Sequence, residues 1–253
     1  YFKDFDVIRC KDGEKGIQAS GSYCVFDRVD TYKNGSTGLQ ICRASGTDTY
    51  QDWPHDNLVL NCNSYLNVDA GHEDADGFAA KLTSGSNNVF DGCIAAFNAD
   101  DGWDLFAKAQ TGSIGAVTIK NSIAYRNGYI LLDENGNLDE HGKCIQGQGN
   151  GNGFKMGGDG LKAGTEYDPD YNPDAIVPQS GHKLFNSLAF HNKSKGFDSN
   201  NAPNIKAYQS ISFNNDGANI SFSSYEQGNP HTDYELRNVI SFRTQGTSTG
   251  DGV

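Results

Sequence analysis

Val89-Phe-Asp-Gly-Cys-Ile-Ala-Ala-Phe-Asn98 sets apolar side chains at alternate positions around a Gly-Cys break and stops at an asparagine. The pattern returns as Leu58-Val-Leu-Asn-Cys-Asn-Ser-Tyr-Leu-Asn67, Thr118-Ile-Lys-Asn-Ser-Ile-Ala-Tyr-Arg-Asn127, Lys183-Leu-Phe-Asn-Ser-Leu-Ala-Phe-His-Asn192 and Lys206-Ala-Tyr-Gln-Ser-Ile-Ser-Phe-Asn-Asn215. A weaker first copy ends at Asp30-Thr-Tyr-Lys-Asn34, and a last one runs Leu236-Arg-Asn-Val-Ile-Ser-Phe242. Alternation with period two marks strands, and nothing between the copies carries the 3.6-residue period of a long amphipathic helix. A TIM barrel or Rossmann domain needs such helices between its strands. A unit of roughly 20–30 residues that cannot bury its own inner face must stack on copies of itself.

The terminal asparagines 34, 67, 98, 127, 192 and 215 are separated by steps of 33, 31, 29, 65 and 23 residues. The 65-residue step is one coil with a large insertion, placed at Asp133 to Asn150 and also at Glu166 to Gln179. The predicted fold is all-β: a right-handed parallel β-helix, a single-stranded solenoid forming one domain over residues 1–253. Because Phe5, Val7 and Ile8 already read as a strand with no cap before them, N-terminal coils are expected to be missing. The aligned asparagines are expected to form a ladder at the turn of each coil, satisfying buried backbone groups and taking the left-handed geometry that Asn tolerates. Cys62 and Cys93 share the register of Ser122 and Ser187, so they read as small interior residues rather than a disulfide.

Composition agrees with a solenoid. Only 36% of the 253 residues are hydrophobic, with 31 Gly, 6 Pro, 14 Phe and 12 Tyr, a balance unlike that of a helical bundle or a disordered chain. The formal charge is −12, from 32 Asp and Glu against 20 Lys and Arg. Nucleic acid is therefore not expected as a partner, since phosphate binding needs a basic footprint. An acidic protein working on an acidic polymer needs a cation to bridge the repulsion. No apolar run approaches the ~18–20 residues that span a bilayer, so no membrane segment is expected. Six cysteines without a C-x-x-C pair give no support to zinc or redox motifs. The chain begins at Tyr1 without Met or a signal-peptide pattern, as a processed protein would. A secreted monomer is expected.

A second element follows each asparagine: a glycine between a polar and an apolar residue. It reads Thr37-Gly-Leu-Gln40, Asp76-Gly-Phe-Ala79, Asp101-Gly-Trp-Asp104, Asn152-Gly-Phe-Lys155, Lys195-Gly-Phe-Asp198 and Asp216-Gly-Ala-Asn219. Strands in a sheet lie about 4.7–4.9 Å apart, so aligning the glycines makes column neighbours of Asp76 and Asp101, and of Asp104 and Lys155. Asp100, Asp101 and Asp104 share one strand region with Asp76 beside them. Four carboxylates so close repel one another unless a cation sits among them. An oxygen-only donor set without His or Cys suits Ca2+ rather than zinc or copper. Lys155 reads equally as a salt-bridge partner of Asp104 and Asp198 or, beside a dication that disfavours its charged form, as a neutral amine base. Lys81, Lys108, Lys143 and Lys195 are candidate point charges for substrate carboxylates, with Asp198 as a further substrate contact. Trp103 is expected in the coil interior beside Phe78 and Phe154. The histidines form no pair or column, and none is given a catalytic role.

The combination Asp76-Gly-Phe-Ala-Ala-Lys, Asn98-Ala-Asp-Asp-Gly-Trp-Asp104 and Asn152-Gly-Phe-Lys-Met-Gly-Gly158 resembles polysaccharide lyase family 9, from about Gly13 to Phe242. That resemblance implies a parallel β-helix acting on an acidic pectic polysaccharide, polygalacturonate or rhamnogalacturonan I. It implies calcium held by Asp76, Asp100, Asp101 and Asp104, and Lys155 as the Brønsted base of an endo-acting pectate lyase. The stretch Leu131 to Gly151 departs from the pattern and leaves the backbone preference open, so a rhamnogalacturonan I endolyase stands beside the pectate lyase. Two rivals remain. An inverting hydrolase would use Asp100 and Asp101 as its acid/base pair. It would also be expected to show a Gly-His-Gly segment, where this chain has only Gly71-His-Glu and Gly181-His-Lys. A non-catalytic carbohydrate-binding solenoid would give Lys155 no special role.

Overall fold

The computed structural model describes residues 1–108, 111–158, 181–222 and 234–244. Its chain winds through parallel coils with three faces. Strands Leu58–Leu60, Asn88–Asp91, Val117–Lys120, Lys183–Phe185, Lys206–Tyr208 and Glu235–Arg237 stack into the first face. The second is built from Asn63–Tyr65, Ile94–Ala96, Ile123–Tyr125, Leu188–Phe190, Ile211–Phe213 and Ile240–Phe242. The long strand Val25–Tyr32 runs through the corner and joins the two into one 14-stranded sheet, against which Phe2–Ile8 also pairs. A 7-stranded sheet from Ile17–Ala19 to Ile220–Ser221 forms the third face. This is the parallel β-helix that the repeat predicts. The first coil, Lys15-Gly-Ile-Gln18, is an extra copy that the alignment above omits, and Gln18 pairs with Gln40. No helix of the described residues is long and apolar enough to cross a membrane.

Alternation fills the interior. Phe78, Trp103, Phe154 and Phe197 point inward from successive coils of the third face, with ring centroids 5.0, 4.7 and 5.9 Å apart. All four are fully buried, each contributing about 1.5–3 kcal/mol of transfer free energy. Trp103 thus sits where the pattern puts it, and this stack fixes the backbone of the strands beside Asp104 and Lys155. All six cysteines are free thiols; Cys62 and Cys93 are buried in the column continued by Ser122 and Ser187.

The asparagine ladder is complete. Asn34, Asn67, Asn98 and Asn127 each donate Nδ2 to the Oδ1 of the next rung at 2.9, 2.9, 2.9 and 3.0 Å, and Asn192 reaches Asn215 at 2.8 Å. Each Oδ1 also accepts the backbone N–H of the preceding rung. One expectation needs correcting. The left-handed residue is the one before each asparagine: Lys33, Leu66, Phe97, Arg126, His191 and Asn214 have φ between 52° and 57°. Such a conformation costs a bulky residue of order 1–3 kcal/mol, and the amide bonds fixing the next residue offset it. The ladder also explains the glycine column. A Cβ on Gly102 would lie 2.7 Å from Asn127 Nδ2, and one on Gly153 2.9 Å from Asn192 Nδ2.

The last copy slips. Asp198 pairs with Ser221, not Asn219, and Phe197 pairs with Ile220. Asn219 instead turns its Oδ1 to Asn215 Nδ2 at 3.1 Å and acts as the next rung, four residues on rather than a coil away. Within the 65-residue step, Tyr129–Leu132 and Lys143–Gln146 form an antiparallel hairpin. Its Ile130, Leu132 and Ile145 pack with Val68, Ala75 and Ala99 in a second small core. The insertion thus begins four residues before Asp133; the further part at Glu166 to Gln179 lies outside the described residues, as does His231.

A shorter ladder links Asn57 to Asn88 at 3.0 Å, and there a histidine finds a structural role. His182 Nδ1 accepts the Val117 N–H at 3.0 Å, as Asn88 Oδ1 accepts that of Asn57. Burial pushes His182 down to about 3, so the folded protein holds the neutral ring. The contribution is present above the unfolded value near 6.5 and is lost as pH falls toward 3. Each pH unit in that window costs up to about 1.4 kcal/mol. Replacing His182 with Asn is expected to flatten this slope. Melting curves of the two proteins from neutral to acid pH should diverge progressively, and parallel curves would refute it.

Candidate active site

Three inner turns meet where the third face leaves its corner. Gly77 N–H donates to the Asp101 carbonyl and Gly102 N–H to that of Asn152, so Asp76, Asp101 and Asn152 stack in column. One carboxylate oxygen from each of Asp76, Asp100 and Asp101 lies within 4.8 Å of the others, all buried. Asp104, also buried, pairs in register with Lys155 on one side and Ala79 on the other. Lys155 Nζ lies 3.1 Å from Asp101 Oδ2 and 3.6 Å from Asp104 Oδ1, and 5.5 Å over the ring of Phe106.

The donors around the cluster are mostly backbone. Asn152 gives its N–H and Nδ2 to Asp101 Oδ1 at 2.6 and 2.9 Å. Asp100 Oδ1 accepts the N–H groups of Asn150 and Gly151. Asp76 Oδ1 accepts the Asp101 N–H at 3.3 Å, and Phe106 N–H caps Asp104 Oδ1 at 3.0 Å. Asp101 Oδ2 is buried without a hydrogen bond; the Lys155 ammonium is close in charge but out of alignment. A buried carboxylate oxygen whose near counter-charge is a single ammonium, grouped with two further carboxylates, is one that a hard divalent cation would complete. The all-oxygen set fits such an ion, and the described residues put no His or Cys among its ligands.

The charges are strongly coupled. Burial, reinforced by Asp101 and Asp76, pushes Asp100 up to about 9. Burial raises Asp76 to about 7 even though Lys81 pulls it down. Asp101 is raised too, by burial first. Asp104 goes the other way, because Lys155 and Lys81 outweigh its burial. Burial alone would lower Lys155, but Asp101, Asp104, Asp100 and Asp76 overcome it and hold the amine protonated. The lowered lysine expected from the sequence is conditional on a dication beside it; the protein's own groups alone raise the amine.

The remaining candidates separate. Lys81 Nζ bonds Asp76 Oδ2 at 2.6 Å and Asp104 Oδ2 at 3.1 Å, which makes it the second counter-charge of the cluster. Lys195 pairs with both oxygens of Asp198 at 3.1 Å on the strand beyond Lys155. Lys108 and Lys143 are exposed and form no ion pair with the cluster among the described residues. Lys193 escaped the reading above. Its Nζ clamps the carbonyls of Gly147 and Gly149 at 2.7 Å, holding the return of the hairpin whose Asn150 touches both Asp100 and Lys155.

Comparison with known proteins gives the same lineage. The family described as Pel9A-like, right handed beta helix region, matches residues 1–238. Pectate lyase L of Thermoclostridium stercorarium is 37% identical over 246 residues, 97% of this chain and 17% of that protein. Pectate lyase L of Paenibacillus polymyxa is 42% identical over 216 residues, 85% of this chain and 42% of that protein. The chain thus spans less than half the length of these curated relatives. The crystal structure of pectate lyase Pel9A superposes with a TM-score of 0.64 at 29% identity, covering 98% of this chain and 52% of that one. A rhamnogalacturonan lyase with a TM-score of 0.56 at 21% identity shares the fold. With its family model matched over residues 1–238, nearly the whole chain, the chain belongs to the Pel9A-like right-handed β-helix family.

Proposed function

We propose that this β-helix carries the active centre of a secreted, calcium-dependent, endo-acting pectate lyase, with Lys155 as the base. The observation that carries the reading is the Lys155 amine, held 3.1 Å from Asp101 at the edge of three converging carboxylates. Calcium held by Asp76, Asp100 and Asp101, with Asp104, would supply counter-charge to a galacturonate carboxylate, acidifying its C5 proton, and would cancel the field that keeps Lys155 protonated. Lys155 takes the C5 proton. The C–H electron pair becomes the C4–C5 double bond, the C4–O bond breaks, the departing oxygen takes a proton from water, and Lys155 returns its own proton to solvent. The packed strand Phe154–Lys155 fixes the amine, while the backbone donors of Asn150, Gly151 and Asn152 orient Asp100 and Asp101.

Incubation with polygalacturonate is expected to give ultraviolet-absorbing unsaturated oligomers that vanish on chelation and return with calcium. Absence of such product with calcium present would overturn the reading in favour of a binding solenoid, and product that persists in chelator would point to a metal-free route. Rhamnogalacturonan I run in parallel assigns the backbone. Calcium binding should also release protons. With Asp100 near 9 and Asp76 near 7, affinity is expected to rise with pH across that interval. Titration calorimetry in two buffers of different ionisation enthalpy measures the release; identical heats would contradict it.

A further inference from the structure

The outer surface of the first face carries charge opposite to that of the protein as a whole. On Val117–Lys120, Lys183–Phe185 and Lys206–Tyr208 the middle residues Ile119, Leu184 and Ala207 are buried, so their flanking neighbours point outward. Register sets Thr118, Lys183 and Lys206 in one outward column, and Lys120, Phe185, Tyr208 and Arg237 in the next. Lys120, Lys183, Lys206 and Arg237 therefore occupy four adjacent strands, ~14 Å of sheet at the usual spacing.

Among the described residues, two carboxylates answer these four cations. Asp91 takes Lys120 at 3.0 Å, and Glu235 takes Lys206 at 3.7 Å together with Arg237. Lys183 has no acidic partner among the described residues, so the patch is net positive on a chain of charge −12. The Phe185 ring stacks on Tyr208 with centroids 5.0 Å apart. Beside them Lys120, Asn121, Phe185, Asn186 and Gln209 line an open trough of about 700 Å³. Spaced cations, amides and an aromatic surface are the chemistry that holds carboxylates, hydroxyls and the C–H face of a sugar ring.

We infer that this face is a second, non-catalytic binding surface for an acidic polysaccharide, on a different sheet from Lys155. The identity of the occupant rests on the pectic reading above; the surface itself does not depend on the lyase chemistry. It would keep a polymer tethered while the active centre works elsewhere along it. A nucleic acid is disfavoured because the acidic remainder of the chain repels a denser row of phosphates.

The test is affinity electrophoresis in native gels with and without polygalacturonate, in chelator so that the calcium-dependent centre contributes nothing. The ratio of mobilities cancels the charge change of each variant. Wild type is expected to be retarded, and the Lys183→Glu/Lys206→Glu double variant to bind about tenfold more weakly. Phe185→Ala is expected to weaken binding without changing its salt dependence, and cleavage of a galacturonate trimer should be unchanged in both. If melting shows the double variant to be unfolded, Lys183→Gln/Lys206→Gln replaces it. Unchanged retardation of the folded charge variant would overturn the proposal, as would equal retardation of wild type by single-stranded DNA at the same charge concentration. Retardation without lyase activity would leave this surface standing and sink the catalytic reading; activity without retardation would do the reverse.

Discussion

Lys155→Ala is expected to lose about three orders of magnitude in kcat on polygalacturonate, the middle of the range that a positioned general base contributes. Calcium affinity should be unchanged or tighter. The wild-type ammonium sits 3.1 Å from Asp101 and 3.6 Å from Asp104, so it competes with any dication for the same oxygens. Removing it takes a positive charge out of the cluster without touching a carboxylate. The backbone is held independently, because Phe154 remains stacked on Trp103 and the Lys155 N–H and carbonyl belong to the sheet. Loss of the base can be told from loss of the site by chemical rescue. Small primary amines should restore part of the rate, and more of it as pH rises toward their own pKa. Product absorbance measures the first effect and calorimetry the second. A variant retaining a tenth of wild-type kcat, or one that has lost calcium binding, would contradict the assignment.

The coil pattern was legible because it is repeated: period two, a terminal asparagine and a glycine recur often enough to fix both fold and register. The acidic columns follow from that register alone, which is why Asp76, Asp101, Asp104 and Lys155 could be brought together without coordinates. What was not legible lay at the end of the repeat or outside it. The last glycine motif places Asn219 beside Asp198, whereas the ladder recruits Asn219 as its own next rung and shifts the strand by two. The pairing of Lys81 with Asp76 and Asp104 was not legible, because a column alignment carries no information about where a long side chain folds back. Lys193 was invisible for a related reason. Its partners are backbone carbonyls of an insertion, and nothing in the sequence marks a carbonyl as needing a donor. His182 stands alone in sequence, yet its ring nitrogen does for Val117 what an asparagine does one coil back.

Asn98→Leu is the second large effect, because it strikes the ladder at the rung that leads into the active centre. Asn98 Oδ1 accepts both the N–H of Asn67 and its Nδ2, and Asn98 Nδ2 donates to the Ser64 carbonyl and to Asn127 Oδ1. Leucine leaves the Asn67 N–H without its acceptor in a fully buried turn, at about 1–3 kcal/mol. It also takes one further bond each from Asn67 Nδ2 (which keeps Thr31 and Ser64), the Ser64 carbonyl and Asn127 Oδ1, at about 0.5–1.5 kcal/mol apiece. Phe97 would also keep its left-handed backbone with less to hold it there. The expected loss is about 4–6 kcal/mol, which lowers the melting temperature by roughly 10 °C or more for a domain of this size. Asn34→Leu is the comparison. Its amide accepts the Cys10 N–H and donates to the Val7 carbonyl and to Asn67 Oδ1, three bonds near the half-buried end of the stack against four for Asn98, and it should cost less. The two variants also separate stability from function. Two residues beyond Asn98, Asp100 is placed by Ala99 N–H donating to the Asn67 carbonyl, so a loosened rung displaces the carboxylate that the cation needs. Asn98→Leu should therefore weaken calcium binding while Asn34→Leu leaves it alone, and excess calcium should restore part of the melting temperature lost in Asn98→Leu. Equal destabilisation by the two substitutions, or calcium affinity indifferent to Asn98, would mean that the rungs fold without supporting the site they precede.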